Sequence, residues 1–270
     1  MSIIGYKVRM KRLISEKDGR YFGVTVDHSM ARGVMKGLDT IENTINLMLD
    51  GMPDAITMHK GIAENCFDKY AGKIPLVLKC TTFSPYQPDY DTPVASVEEA
   101  IKLGADAISV GCIVCGDKQY EQLSNLAKYC EKAKEYNIPI ISHIYPRGNF
   151  ISKEDQYNWN NVLYAARAAA ELGVDLIKTN YTGDIETFSK IVNGTPSRVA
   201  IAGGDSCKTP EELFKMTKDV LDSGGVGVTY GRFLIQYKNI TAIVKALRAL
   251  IHENYSVKES LELLKDLENN

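Results

Sequence analysis

The sequence predicts an α/β protein that folds as one closed (β/α)8 barrel, the TIM barrel, and three observations support this fold class. Eight short apolar runs rich in β-branched residues alternate with longer stretches of helical periodicity, a pattern that favours parallel strands joined by crossover helices. The 270 residues, 44% of them hydrophobic, suit one barrel of about 250 residues. No glycine-rich dinucleotide loop follows the first strand, as one usually does in an open doubly wound sheet.

The strands are predicted where the short apolar runs lie. They cover residues 21–27, 54–59, 74–80, 105–112, 138–145, 174–179, 198–203 and 225–231. Because parallel barrel strands all end at one rim, the residues that follow these eight runs are expected to meet there.

Helices are predicted between the strands, where apolar residues recur at helical spacing. Several helical stretches end on glycine, which helix C-termini favour; TIENTINLMLDG, SVEEAIKLG, NVLYAARAAAELG and TPEELFKMTKDVLDSG are examples. Residues 256–268 are predicted to form a short C-terminal helix, and residues 81–95, with three prolines and no periodicity, a long loop. No linker composition divides the chain, so residues 1–270 are predicted to form a single domain.

Charge and hydropathy exclude several classes of function. The net charge is −2 and no Lys/Arg-rich run occurs, so neither a nucleic-acid partner nor a membrane partner is expected. No apolar run approaches the roughly 20 residues of a membrane span, and the N-terminus lacks the features of a signal peptide. We therefore expect a cytoplasmic protein that acts on a small molecule.

The predicted rim collects most of the chemically active side chains. It holds three of the four histidines (His28, His59 and His143), three lysines (Lys60, Lys79 and Lys178), and also Asp27, Tyr145, Arg147, Gly203, Gly204, Gly231 and Arg232. Catalytic residues of TIM barrels lie at this rim.

Lys178 ends the apolar strand VDLIKT, where desolvating an ammonium group is unfavourable. One interpretation is structural, because a long lysine can bury its stem and extend its charge into solvent. The other is catalytic, because a dry site lowers the pKa of a lysine and frees its amine to attack a carbonyl. On the residues alone, both interpretations fit.

Several motifs resemble one enzyme family along residues 7–260. The most specific are KTNYTGD and YPRG, and VDHSMARG, HKGIAE, SVEEAIKLGADAISV, IAGG and YGRFLIQ follow the same order and spacing. They are similar to the archaeal-type class I aldolases, which use a lysine Schiff base. That family includes fructose-bisphosphate aldolases and 2-amino-3,7-dideoxy-D-threo-hept-6-ulosonate synthases.

The resemblance implies roles for three residues. Lys178, which opens KTNYTGD, would form the Schiff base, and Tyr145, which opens YPRG, would be the acid–base group. Asp27 would orient or deprotonate near the reacting carbons. An ordinary tyrosine has a pKa of about 10, so we expect the ammonium of Lys178, or the iminium formed on it, to stabilise the Tyr145 phenolate. The resemblance further implies a phosphorylated sugar substrate, no cofactor, no metal and a homo-oligomer.

A phosphate site is predicted after the seventh and eighth strands. Gly203, Gly204 and Gly231 would allow close backbone approach, and a following helix N-terminus would face the anion. Arg232 would add a charge-assisted hydrogen bond. His28, Lys60 and Arg147 complete the set of predicted substrate-binding residues.

Four functions stay open on the sequence. The first is an aldolase of the fructose 1,6-bisphosphate type, and its alternative is the heptulosonate synthase, a transaldolase of aromatic precursor synthesis. A third is a metal-dependent barrel enzyme, since His28, His59 and His143 could bind Zn²⁺ with an open fourth position. The fourth is a non-catalytic barrel. The chain departs from the family pattern at Ser29 and Val34, at Asp205–Cys207 and at Phe233, all near the expected substrate.

Overall fold

The computed structural model describes residues 3–203 and 207–269. In that part of the chain the strands are β1 (Tyr21–Thr25), β2 (Ala55–Met58), β3 (Leu76–Lys79), β4 (Thr81–Ser84), β5 (Gln87–Pro93), β6 (Ala107–Val114), β7 (Ile140–Pro146), β8 (Leu176–Thr179), β9 (Arg198–Ala202) and β10 (Gly227–Tyr230). Eight of them form the predicted closed barrel in the order β1-β10-β9-β8-β7-β6-β3-β2. Each barrel pairing is parallel, and β1 pairs with both β10 and β2. Strand β6 lies diametrically opposite β10, because three strands separate them in either direction around the ring.

Helices surround the barrel as predicted. They are α1 (Ile4–Leu13), α2 (His28–Arg32), α3 (Ile41–Leu49), α4 (Lys60–Cys66), α5 (Val97–Lys102), α6 (Gln119–Glu135), α7 (Trp159–Leu172), α8 (Ile185–Asn193), α9 (Pro210–Asp222), α10 (Arg232–Ile235), α11 (Ile240–His252) and α12 (Val257–Asn269), with 3₁₀ turns at Asp68–Tyr70 and Glu154–Tyr157. Capping boxes start α5 and α9 at Ser96 and Thr209. Gly173 ends α7 in the left-handed conformation with φ of 95°, which favours glycine. The predicted C-terminal helix is confirmed as α12.

The prediction of a long loop at residues 81–95 is wrong. Strands β4 and β5 form an antiparallel hairpin there, with Thr81 opposite Pro93 and Thr82 opposite Thr92. Prolines pointed to a loop because they cannot donate to a ladder, but in a ribbon of two strands both strands are edges and proline is tolerated. We refer to β4 and β5 as the hairpin.

Two apolar layers hold the barrel together. The larger one fills the space between the strands and the helices. A smaller one closes the amino-terminal end of the barrel, where Leu13 and Ile14 pack against inward residues such as Tyr21 and Ile141. This plug leaves the carboxyl ends of the strands as the open side. Among the described residues, no helix is both long and apolar enough to cross a membrane.

Candidate active site

A cavity of about 260 Å³ opens at the carboxyl ends of the barrel strands. Eight of the predicted site residues line it: Asp27, His28, Tyr145, Arg147, Lys178, Gly203, Gly231 and Arg232. Lys60 does not line it, and Gly204 lies outside the described residues. The barrel therefore brings together most of the residues that the sequence singled out.

Lys178 lies inside the barrel and is only 5% exposed. It is in register with His143 on β7 and Ala200 on β9. Burial lowers the pKa of Lys178 to about 8, the positive charges of Lys79 and Arg232 act in the same direction, and Asp27 opposes them. At pH 7 about a tenth of such a lysine is free amine. The solvent-extended interpretation is wrong for this side chain, because its ammonium is enclosed.

Asp27 supplies the negative charge of the cavity. It directly precedes α2, and its carboxylate accepts a hydrogen bond from the Thr25 hydroxyl and lies 3.7 Å from Nδ1 of His28. Burial alone would raise the pKa of Asp27, but electrostatic interactions with His28, Lys79, His143 and Lys178 hold it well below its usual range. Asp27 therefore stays ionised at every pH near neutrality.

His143 contacts one of the two buried lysines, Lys79, and is in register with the other, Lys178. Its Nε2 lies 2.9 Å from the Ser109 hydroxyl and its Nδ1 lies 3.5 Å from Nζ of Lys79. Burial and the charges of Lys178 and Lys79 lower the pKa of His143 well below its ordinary value. The neutral ring can thus accept from Lys79 at Nδ1 while it donates to Ser109 from Nε2.

Tyr145 lies near the end of β7 and is half-buried at the cavity. Burial raises the pKa of its phenol, as do the negative charges of Asp27 and Asp91, while Arg147 and Arg232 oppose this. In the free enzyme the balance of these groups therefore favours the neutral phenol, and the expectation that a cation at Lys178 stabilises the phenolate stays a prediction for the iminium form. Tyr145 begins as a proton donor, and its phenolate needs an additional positive charge beside it.

Arginines surround the mouth of the cavity. The guanidinium carbons of Arg147 and Arg32 lie 4.3 Å and 5.8 Å from the centroid of the Phe83 ring, close enough for cation–π contact. Burial lowers the pKa of Arg232, and the charge of Arg32 lowers it further. Three guanidinium groups that share one cavity suit an anionic substrate.

Two cavity glycines are required by close packing. A Cβ at Gly231 would lie 2.2 Å from Cε1 of His28, and one at Gly203 would lie 2.9 Å from Cδ1 of Tyr230. Neither contact leaves room for a side chain. These glycines thus allow the imidazole of His28 and the ring of Tyr230 to approach the backbone.

Lys60 binds a different partner from the one expected. It begins α4, and its Nζ lies 2.5 Å from Oε1 of Glu99. Oε2 of Glu99 accepts a hydrogen bond from the Ser96 backbone at 2.8 Å. Lys60 therefore ties α4 to the first turn of α5, outside the cavity, and we do not include it among the substrate contacts.

The three rim imidazoles do not share one site. His28 and His143 line the cavity, but His59 does not, and its Nδ1 lies 3.3 Å from the Lys79 carbonyl. Among residues 3–203 and 207–269, no group of three or more His, Cys, Asp or Glu side chains is arranged to hold a metal ion.

The cavity is also lined by residues without a role assigned from sequence, among them Arg32, Lys79, Asp91 and Thr229. Lys79 was visible as a strand-end lysine, and Arg32 follows the DHS motif. Asp91 lies in the stretch that was predicted to be a loop. The sequence feature that could have indicated Asp91 was Gly111 inside a predicted strand, because a glycine there often marks the close approach of another group.

Comparison with known proteins finds a matching family and similar proteins of known sequence. Residues 22–236 match the family model described as DeoC/LacD family aldolase. A 2-amino-3,7-dideoxy-D-threo-hept-6-ulosonate synthase of Halobacterium salinarum is 32% identical over 263 residues, which are 97% of each chain. An uncharacterised aldolase of Saccharolobus solfataricus is 31% identical over 97% of this chain and 100% of its own.

A solved structure is similar as well. It is an archaeal fructose-1,6-bisphosphate aldolase with its catalytic lysine covalently bound to the carbinolamine intermediate of the substrate. It superposes with a TM-score of 0.84 at 28% identity and covers 91% of this chain and 99% of that one.

Proposed function

This chain belongs to the DeoC/LacD family of aldolases, and from that premise we propose that Lys178 forms a Schiff base with a phosphorylated ketose of the fructose 1,6-bisphosphate type. The observation that carries the proposal is the enclosed position of Lys178, with a pKa of about 8, beneath a mouth rich in arginine. A buried lysine with a lowered pKa is the form that attacks carbonyls near neutrality.

The first half of the reaction joins the substrate to the enzyme. The free amine of Lys178 adds to the ketose carbonyl, and a proton moves from nitrogen to oxygen to give a carbinolamine. Tyr145 then donates its phenolic proton to the departing hydroxyl, so that water leaves and a cationic iminium remains. The new cation lies in the cavity with Tyr145 and stabilises the phenolate that the free enzyme disfavours.

The second half breaks the carbon–carbon bond. The Tyr145 phenolate takes the proton of the hydroxyl on carbon four, the bond between carbons three and four breaks, and its electron pair moves to the iminium to give an enamine. The aldehyde leaves, and Tyr145 returns the proton to carbon three. Water then adds to the regenerated iminium, the phenolate takes its proton, and collapse of the carbinolamine frees the ketone and Lys178. Asp27, ionised throughout, stabilises the iminium.

The arginines support a substrate with phosphate at both ends. Arg232 follows β10 and lines the cavity, as do Gly203 and Gly231, while Arg147 follows β7 and lies against the hairpin. We propose that these two guanidiniums bind separate phosphates. Gly204, outside the described residues, remains a predicted member of the first phosphate site.

A second candidate is the heptulosonate synthase, and the Halobacterium salinarum relative supports it. The product named for that relative carries an amino group, and in this chain the carboxylate of Asp91 lines the cavity together with the arginines. The two candidates share the chemistry of Lys178 and differ in both halves of the substrate. The 7-deoxy, 6-keto product named for that relative has a methyl ketone, whereas the ketone half of fructose 1,6-bisphosphate carries a phosphate. A cytoplasmic location, a homo-oligomeric assembly and a single domain over residues 1–270 remain predictions from the sequence.

Turnover in the presence of EDTA tests the proposal. We expect the enzyme to release triose phosphate from fructose 1,6-bisphosphate with EDTA present, and Lys178→Ala to release none. A synthase would instead form product only when an amino-bearing aldehyde is supplied as acceptor. Loss of activity in EDTA that Zn²⁺ restores would contradict both candidates and favour the metal-dependent enzyme.

A further inference from the structure

Asp91 is a buried carboxylate that the proposed reaction does not use. It is 5% exposed, lies on β5 and lines the cavity. A Cβ at Gly111 on β6 would lie 2.1 Å from Oδ1 of Asp91. The carboxylate thus occupies the space where a side chain of β6 would otherwise enter the barrel.

The register places this carboxylate level with the reactive lysine. Gly111 on β6 pairs with His143 on β7, and His143 pairs with Lys178 on β8. Residues in register on neighbouring parallel strands point to the same face of a sheet, and each strand is about 4.8 Å from the next. Asp91 therefore contributes its charge to the same layer of the barrel, two strands away from Lys178.

The carboxylate has few partners within the protein. Oδ1 accepts a hydrogen bond from the Thr81 hydroxyl at 3.1 Å, and that hydroxyl accepts from the Gly111 backbone at 2.6 Å. Among the described residues, Oδ2 accepts no hydrogen bond. A carboxylate taken out of water with one neutral donor is unfavourable, so a further donor is needed to satisfy it.

The hairpin does not depend on this carboxylate for its attachment. Gln122 on α6 accepts from the Asp91 backbone N–H at 3.3 Å and donates to the Asp89 carbonyl at 2.8 Å. Arg147 donates to the Pro88 carbonyl at 2.7 Å. Because the backbone is held by other groups, the side chain of Asp91 is available for a ligand.

The position of Asp91 in the barrel indicates which part of a substrate it faces. Gly111 lies on β6, diametrically opposite β10, which leads into Gly231 and Arg232. A substrate that places one phosphate beside Gly231 and its carbonyl at Lys178 directs its other end towards β6. That end is the half that leaves as the aldehyde.

We propose that Asp91 accepts a hydrogen bond from a hydroxyl or ammonium group on the aldehyde half of the substrate and so determines which aldehydes react. The inference rests on the proposed Schiff-base function and deepens it. Burial raises the pKa of Asp91, and the charges of Lys79 and Arg147 oppose this. Arg147 lines the same cavity, so the two residues suit an aldehyde that carries both a hydrogen-bond donor and an anionic group.

The test compares matched aldehydes with and without the donor. In the assay, the enzyme is given dihydroxyacetone phosphate together with one of three aldehydes: glyceraldehyde 3-phosphate, its deoxy analogue 3-phosphooxypropanal, or 2-amino-4-oxobutanoate. We expect the wild type to prefer a donor-bearing aldehyde to the deoxy analogue, and Asp91→Asn to reduce that kcat/KM ratio about tenfold to a hundredfold, the range for a hydrogen bond to a charged group. If the ratio falls for the hydroxy aldehyde, its hydroxyl is the group that donates to Asp91; if it falls for the amino aldehyde, the ammonium is. Asp89→Asn, the same change at an exposed position of the hairpin, is the control and should leave the ratio unchanged.

The outcomes separate this inference from the proposed function. Borohydride trapping of dihydroxyacetone phosphate on Lys178 should be equal in the wild type and Asp91→Asn; absence of the adduct in the wild type would refute the proposed function instead. An equal loss for all aldehydes in Asp91→Asn would make Asp91 a structural residue and overturn the inference. A wild type that accepts the deoxy analogue as well as both donor-bearing aldehydes would overturn it without any variant.

Discussion

At the scale of single residues, the surroundings in the cavity give Lys178 and Asp27 different charge states near neutral pH. Lys178 and Asp27 line the same cavity, yet the pKa of the lysine falls to about 8 and that of the carboxylate falls well below its usual range. The reason is that burial disfavours the lysine's charge, whereas the cations nearby stabilise the carboxylate. One group is therefore ready to lose its proton near neutrality while the other stays charged.

The pH dependence of Schiff-base formation follows from the pKa of Lys178. The attacking form is the unprotonated amine, so kcat/KM should fall about tenfold per pH unit below pH 8 and level off above it. Lys79 lowers the pKa of Lys178, and Lys79→Met should therefore move the inflection to higher pH. A pH profile that is flat between pH 6 and pH 9, or an inflection that moves to lower pH in Lys79→Met, would contradict this assignment.

Tyr145→Phe tests the acid–base role, because it removes one oxygen and leaves the packing of the ring nearly intact. We expect normal folding, slower but detectable trapping of substrate on Lys178, and turnover reduced at least about a hundredfold, the usual effect of losing a positioned proton-transfer group. Tyr164→Phe, on the exposed surface of α7, is the matched control. Turnover near the wild-type rate would transfer the role to Asp27 or a histidine.

The sequence predicted most of these residues, and the exceptions have physical reasons. Lys178 and Tyr145 were recognisable because strand ends converge on one rim and because their motifs resemble a family. Asp91 was not recognisable, because its place in the cavity depends on the hairpin folding inward over Gly111. That is a contact between residues 20 positions apart in the chain. Lys60 was placed at the rim correctly, but the direction of its side chain depends on Glu99 and could not be read from spacing.

At the scale of elements, the barrel and its helices were predictable because each has a regular pattern. All eight predicted barrel strands occur, and the observed strands lie within or near the predicted ranges. The hairpin has no such pattern, because its prolines interrupt the alternation of apolar and polar residues and cannot donate backbone hydrogen bonds to a neighbouring strand. The structure fixes it through Gln122 and Arg147, which lie on α6 and after β7.

A clamp at the closed end of the barrel gives a prediction for stability. His252, at the end of α11, lies 2.8 Å from Oδ2 of Asp18 and 3.0 Å from Oδ2 of Asp54. Asp54 also accepts from the Phe22 backbone at 2.6 Å, which ties α11 to β1. Burial alone would lower the pKa of His252, but the hydrogen bonds and charges of Asp54 and Asp18 raise it above its ordinary value.

A raised pKa means that the folded state binds the proton more tightly than the unfolded state does. The clamp's contribution is therefore complete below about pH 6.5, the unfolded pKa, and is lost as the pH rises through the folded pKa. We expect His252→Gln to lower the free energy of unfolding by about 1 to 3 kcal/mol near pH 6, and by less at pH 9. Denaturant unfolding at both pH values measures this, with Lys245→Gln on the exposed face of α11 as the control. An equal loss at both pH values would mean that the clamp does not depend on charge.

At the scale of the whole molecule, the closed ring gives the cavity two opposed walls. Strand β10 leads to Gly231 and Arg232, and β6 lies across the ring beneath Asp91. Lys178 on β8 lies between these walls in the strand order. The fold class and this order followed from the eight repeats in the sequence. That Asp91 lies across the cavity from Gly231 and Arg232 could be seen only from the positions of the hairpin and the side chains.

Peptide mapping after borohydride reduction tests the central claim most directly. The protein is incubated with dihydroxyacetone phosphate, reduced, digested and analysed by mass spectrometry. We predict one stable adduct, on the peptide that contains Lys178, together with loss of activity, and no adduct in Lys178→Ala. The other two rim lysines, Lys60 and Lys79, serve as internal controls in the same digest. An adduct on Lys60 or Lys79 in place of Lys178, or full activity in Lys178→Ala, would contradict the account.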